Sequence, residues 1–201
     1  MQAVYKVITP ATLLPISLAE AKAQLNIAPA FADDDAFITD CIKAAANFVA
    51  DHLQGPLMQT EYELQMSGWD KSPLPTEEGA GIQLWKCPVV SLTSLKYFDL
   101  LNVDQTVAPG NYTLDNSGTP GRLIFASGYS LPGTFQRFDS VRLRFIAGYA
   151  AQADVPFKVK QAVQWVMSQF YLHRSPQVVG VSVSPLELTV EKLLATEMAY
   201  L

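Results

Sequence analysis

The sequence is poor in the residues on which metal centres and disulfide-stabilised folds depend. Its 201 residues include only two histidines and two cysteines, Cys41 and Cys87. Two isolated thiols do not form a disulfide framework, and neither has another Cys or His nearby at the spacing of a metal site. We therefore expect no structural disulfide, no metal ion and no cofactor, and a reducing compartment.

Charged residues are also few, at 16% of the chain, and they are not biased towards the basic side. Fourteen Lys and Arg stand against 19 Asp and Glu, which gives a net charge of −5. Binding to duplex DNA depends on clustered basic residues, so a sequence-specific DNA-binding role is disfavoured. No apolar run approaches the ~20 residues that cross a bilayer. We expect a protein of the cytoplasm or of a larger assembly, with no membrane partner.

The patterns of common catalytic centres are missing as well. There is no Gly-x-Ser-x-Gly turn, and His52 and His173 both fall late in predicted helices, where a positive side chain interacts favourably with the helix dipole. The acidic run Asp33–Asp35 lacks the alternating ligands of a calcium loop, and dipole compensation explains it. The sequence therefore predicts no catalytic residue, and we do not expect an enzyme.

Two other function classes remain open at this point. Trp69, Glu77 and Glu78 lie in one predicted loop, where an aromatic ring and a carboxylate pair would suit a small β-rich hydrolase or a carbohydrate-binding module. A DNA-binding regulator that uses the first two helices is a third, weaker possibility, which a steep salt dependence of duplex binding would mark.

What the chain does contain is a clear order of elements, beginning with two helices. Ser17 and Glu20 form a capping box at the start of a short helix that Pro29 ends. A long helix then follows the acidic run and ends near Gln54. Gly55 there is a candidate for the left-handed residue that closes it.

The hydrophobic period changes from 3.6 to 2 after Leu57, which predicts a sheet. Short strands separated by turn residues favour antiparallel pairing, and residues 67–81 are typical of a surface loop. The predicted strands begin in the stretch after Leu57 and continue at Ile82–Lys86, Val89–Tyr97, Tyr112–Asp115, Arg122–Ala126 and Val141–Ile146.

The helical period returns after Gly148. Asp154 is a candidate cap and Pro156 would lie in the first turn of a helix whose apolar stripe is wide enough to contact two partners. A second capping box, Ser184 with Glu187, predicts a last helix over 184–201. An isolated helix of this length is marginal in water, so its apolar edge must pack on something else.

This order predicts an α+β protein in which a helical frame carries an inserted antiparallel β region. We place the N-terminal helical part at 1–56, the β insertion at 57–150 and the C-terminal helices at 151–201. Apolar residues of the last two helices are the candidate interface with another subunit or a partner. They are Trp165, Phe170, Leu186, Val190, Leu193, Leu194 and Met198.

Several motifs occur in an order that resembles one family. They are Pro15–Lys22 with the acidic run Asp33–Asp35, Pro88–Val89, Tyr97–Asp99, Pro120–Leu123, Ala147–Tyr149 and Val155–Pro156. Together they resemble the tailed-phage head-to-tail connector proteins, also called adaptor or head-completion proteins, in their long form with a β insertion. The chain departs from the pattern at Leu131–Pro132 and at 193–197, where the usual ending is missing.

The resemblance implies a structural role without catalysis. The family forms rings of identical subunits, expected to be dodecameric, that dock below the portal protein and hold the tail or a stopper protein on the other face. Genomic DNA passes through the lumen without sequence-specific binding. The resemblance thus implies a virion protein of the head-tail junction, present in the host cytoplasm during assembly.

Overall fold

The computed structural model describes residues 3–69, 81–173 and 186–195. The chain divides into two compact units. Within the described residues, the helical unit contains residues 12–58, 149–173 and 186–195. The β unit contains residues 3–11, 59–69 and 81–148. Helices and antiparallel sheets in one chain confirm the predicted α+β class.

Four α-helices of the helical unit lie within the described residues. They are α1 (Leu18–Gln24), α2 (Asp35–His52), α3 (Phe157–Leu172) and α4 (Leu186–Leu194). The long helices α2 and α3 pack on each other, and α3 also contacts α1 and α4. The wide apolar stripe of α3 therefore does meet more than one partner, and all of these partners belong to its own chain.

Local sequence signals fix the ends of the first two helices. The capping box is formed as predicted: the Glu20 backbone N–H donates to Ser17 Oγ at 3.2 Å, and Ser17 N–H donates to Glu20 Oε2 at 2.7 Å. At the end of α2 the left-handed residue is Gln54, with φ of 54°, and not Gly55 as predicted. Gly55 is the next residue, and its N–H donates to the Ala50 carbonyl at 3.1 Å.

The start of α3 differs from the prediction. The Asp154 carboxylate accepts a bond from Ala151 N–H at 3.1 Å and closes a short 3-10 turn, so it does not cap the helix. Pro156 is the residue before the first helical turn and not a member of it. The pair Val155–Pro156 separates the two elements because a residue before proline is driven towards extended backbone.

In the part of the β unit that the structure describes, the strands form two antiparallel sheets. The larger has the strand order β1-β2-β8-β4-β5 and the smaller the order β3-β7-β6. The strands are β1 (Ala3–Thr9), β2 (Thr60–Met66), β3 (Gly81–Leu84), β4 (Val89–Phe98), β5 (Asp104–Thr106), β6 (Tyr112–Asp115), β7 (Gly121–Phe125) and β8 (Val141–Ala147).

Alternation along β8 separates a buried face from a polar one. Val141, Leu143 and Phe145 are fully buried, while Arg142 and Arg144 point to the other face. On that face Arg144 Nε donates to Glu63 Oε2 at 2.7 Å across the β2–β8 pair. Buried residues from both sheets form one apolar cluster, so the sheets pack face to face.

Two strands lie outside the predicted set. Residues 3–9 form β1, an edge strand of the larger sheet, so the prediction of a helical part over 1–56 is wrong for this segment. The signal is present, because five of the seven residues in this strand are β-branched or aromatic. The three-residue strand β5 forms the opposite edge and is too short to give a periodic pattern.

Candidate interaction surfaces

Of the predicted interface residues, those on α3 lie partly open to solvent. Trp165 is half-buried, and Phe170 near the end of the helix is 39% exposed. Leu172 and Phe157, at opposite ends of α3, are more exposed still. The helix thus buries its inner face in the helical core and leaves apolar side chains exposed to solvent at both ends.

The last helix behaves differently from the expectation. Val190 and Leu194 are fully buried in the core of the helical unit, and Leu193 packs against it. The chain's own helices therefore cover this apolar edge, and these two side chains offer no surface to a partner. This corrects the expectation that the edge stays uncovered until a partner closes over it. The Leu186 side chain and Met198 lie outside the described residues.

Three of the polar residues considered for chemistry, His52, Asp34 and Asp35, have structural partners. His52 stacks on Phe48 with ring centroids 5.6 Å apart, and its Nε2 lies 3.5 Å from Glu191 Oε1 on α4. Asp34 accepts a bond from the Tyr171 hydroxyl at 2.5 Å, and Asp35 pairs with Lys22. These contacts join the four helices of the unit.

The tryptophan that motivates the hydrolase or carbohydrate-binding alternative is a packing residue. Trp69 Nε1 donates to the Pro132 carbonyl at 2.7 Å, and its ring lies 5.5 Å from that of Tyr97 and 5.7 Å from that of Phe125. Glu77 and Glu78 lie outside the described residues.

An exposed apolar cluster lies in the β unit, and sequence reasoning missed it. It consists of the turn between β4 and β5 together with part of the loop between β7 and β8. We call it the apolar tip; its members are Leu100, Leu101, Val103, Phe135 and Phe138. Leu100 is 71%, Leu101 84% and Phe138 72% exposed. Monomeric proteins seldom expose neighbouring large apolar side chains in this way without a partner.

One carboxylate makes three hydrogen bonds in the turn that carries the tip. Asp99 Oδ1 accepts bonds from Leu101 N–H at 2.9 Å and Val103 N–H at 3.0 Å, and Oδ2 accepts one from Gln105 at 2.9 Å. The Val103 N–H bond is the leading cause that lowers the pKa of Asp99 below its usual value. Asn102 takes the left-handed conformation, with φ of 60°. The leucines are therefore displayed by an ordered turn.

A second contact, centred on Arg137, joins the β7–β8 loop to the β4–β5 turn. The Arg137 guanidinium lies 4.0 Å from the centre of the Phe98 ring, and its Nη1 donates to Asn102 Oδ1 at 3.1 Å. The same guanidinium makes a bidentate pair with Asp139. The charge of Arg137 is thus balanced within the unit, and what the tip presents outward is apolar.

The described residues also line a groove of about 740 Å³ along α1. Its walls are Leu18, Ala19, Lys22 and Ala23 of the helix and the following segment 26–29. Lys22 is buried, and its amine donates to the carbonyls of Pro29 at 3.3 Å and Phe31 at 2.8 Å while pairing with Asp35 at 2.5 Å. Because the charge of Lys22 is paired within the chain, the groove presents a mainly apolar surface.

Metal-binding clusters and membrane-spanning helices are both absent from the described part of the chain. No group of three or more His, Cys, Asp or Glu is placed to hold a metal ion among these residues. No described helix is long and apolar enough to cross a membrane.

Known proteins share the fold of the chain. Residues 15–83 match the family model of the phage gp6-like head-tail connector protein. A chain in the neck of an empty gene transfer agent (GTA) particle computed with C6 symmetry is 24% identical, with a TM-score of 0.68, covering 96% of this chain and 95% of that one. A chain in the neck of the native GTA particle computed with C12 symmetry is 22% identical, with a TM-score of 0.69, covering 100% and 97%.

A chain of the virion of the native GTA particle gives the same values, 22% identity and a TM-score of 0.69 over 100% and 97% of the two chains. No curated protein matches the sequence. The fold is thus one found in the necks of phage-like particles, and the match of residues 15–83 confirms the resemblance to phage head-tail connector proteins.

Proposed function

We propose that the protein is a structural head-to-tail connector that forms a ring in the neck of a phage or phage-like particle. The observation that carries the proposal is the fold match over the whole chain to a neck protein in a particle computed with C12 symmetry. The family match of residues 15–83 is independent support, since it rests on sequence. In such a ring each subunit contributes structure and catalyses no reaction.

A closed ring of identical subunits requires two different contact surfaces on each copy. The described residues offer candidates for both, in the apolar tip of the β unit and on the outer side of α3, where Phe170 is exposed and Trp165 is half-buried. With Val190 and Leu194 buried, a contact made by the last helix would use its other residues, and Leu193, Leu186 and Met198 remain candidates for it.

The wider partners follow from the same role. We propose that one face of the ring meets the portal protein and the other the tail or a stopper protein, with genomic DNA passing through the lumen. The net charge of −5 suits this passage, because an acidic bias disfavours tight binding to the phosphate backbone. The protein would then be a component of the virion that is present in the host cytoplasm during assembly.

Native mass spectrometry of the purified chain, alone and mixed with a portal protein from the same particle, tests the proposal. We expect a closed oligomer, with twelve copies as the first expectation, either in the chain alone or on addition of portal. A chain that stays monomeric in both samples would contradict the ring.

A further inference from the structure

We draw no further inference here: the strongest candidate, the apolar tip of the β unit with Leu100, Leu101 and Phe138 exposed at its surface, carries none because nothing in the structure shows what covers it.

Discussion

At the scale of single residues, buried and ordered polar groups shape the surfaces that matter for function. Lys22 shapes the α1 groove, because its amine binds two carbonyls of the following loop and pairs with Asp35. Asp99 shapes the apolar tip by accepting three bonds within one turn. Both residues act through backbone groups, so their effects can be tested without removing any apolar contact.

Replacing Lys22 with Met keeps the apolar stem and removes the charge. We expect a loss of about 2–3 kcal/mol in the free energy of unfolding, because two carbonyls and a carboxylate lose their partner in a buried setting. Urea denaturation followed by circular dichroism measures it. Lys43→Met is the matched control: its pair with Asp40 is exposed, so a change below about 0.5 kcal/mol is expected. Equal losses in the two variants would contradict the role given to Lys22.

Replacing Asp99 tests whether one carboxylate orders the tip. Asp99→Ala removes the acceptor for the N–H groups of Leu101 and Val103, and we expect both amides to exchange with solvent faster. Asp99→Asn retains an oxygen at the position of Oδ1 and should preserve most of their protection. Hydrogen exchange followed by NMR distinguishes the two variants. Unchanged protection of both amides in the alanine variant would show that the turn is held by other contacts.

Residue-scale features also mark the limit of what the sequence could predict. The capping box of Ser17 and Glu20 was predictable because both partners lie within four positions. The partners of Lys22, 7 to 13 positions away, follow no fixed spacing. The apolar tip joins the β4–β5 turn to Phe135 and Phe138, and only the folded β unit brings these segments together.

At the scale of elements, the first helix depends on its cap. The pKa of Glu20 is lowered chiefly by the bond from Ser17 N–H, with burial opposing it and the Ser17 hydroxyl and Lys160 adding to it. A lowered pKa in the folded state means that the carboxylate stabilises the fold above its ordinary pKa. This contribution is lost as the pH falls through the folded value.

Acid stability should therefore depend on the charge of Glu20. Between about pH 6 and pH 3 we expect the unsubstituted chain to lose stability more steeply than Glu20→Gln, which keeps a capping side chain that does not titrate. The urea midpoint measured across this range gives the two slopes. Parallel pH profiles would show that the Glu20 charge has no part in acid unfolding.

The last helix also shows how an element can be predicted correctly while its partner is not. The sequence predicts an apolar edge on α4 that must pack on another element, and this edge is packed. Its partner, however, is the helical core of the same chain, because α3 offers a stripe wide enough for both α2 and α4. Periodicity gives the face of a helix but not the element that covers it.

Truncating Leu194 tests this packing. We expect Leu194→Ala to lower the free energy of unfolding by about 2–5 kcal/mol, the range for a fully buried leucine. Leu172→Ala, an exposed leucine of α3, is the matched control and should change stability by less than about 0.5 kcal/mol. If Leu194→Ala left the free energy of unfolding unchanged, α4 would not belong to the core. Its apolar edge would then again be a candidate interface.

At the scale of the whole molecule, the family match bears on function more directly than the composition does. The match of residues 15–83 to the head-tail connector family supports a structural role over an enzymatic one. The sequence could predict the class and the order of most elements. It could not predict the open sheet edges, since β1 and β5 become edges only through the pairing of the whole sheet, in which β1 joins β2 from more than 50 positions away.

Assembly should therefore depend on apolar burial more than on ion pairs. The charged groups at the tip are paired within the β unit, Arg137 with Asp139 and Arg142 with Asp104. Few charges are therefore left to form ion pairs with a partner. We expect the subunit affinity of assembled rings to change by less than about threefold between low and physiological salt, because salt screens exposed charges and leaves apolar burial nearly unchanged. Sedimentation velocity over a dilution series at several salt concentrations measures it. A steep weakening with added salt would assign the interface to exposed charges and away from the apolar tip.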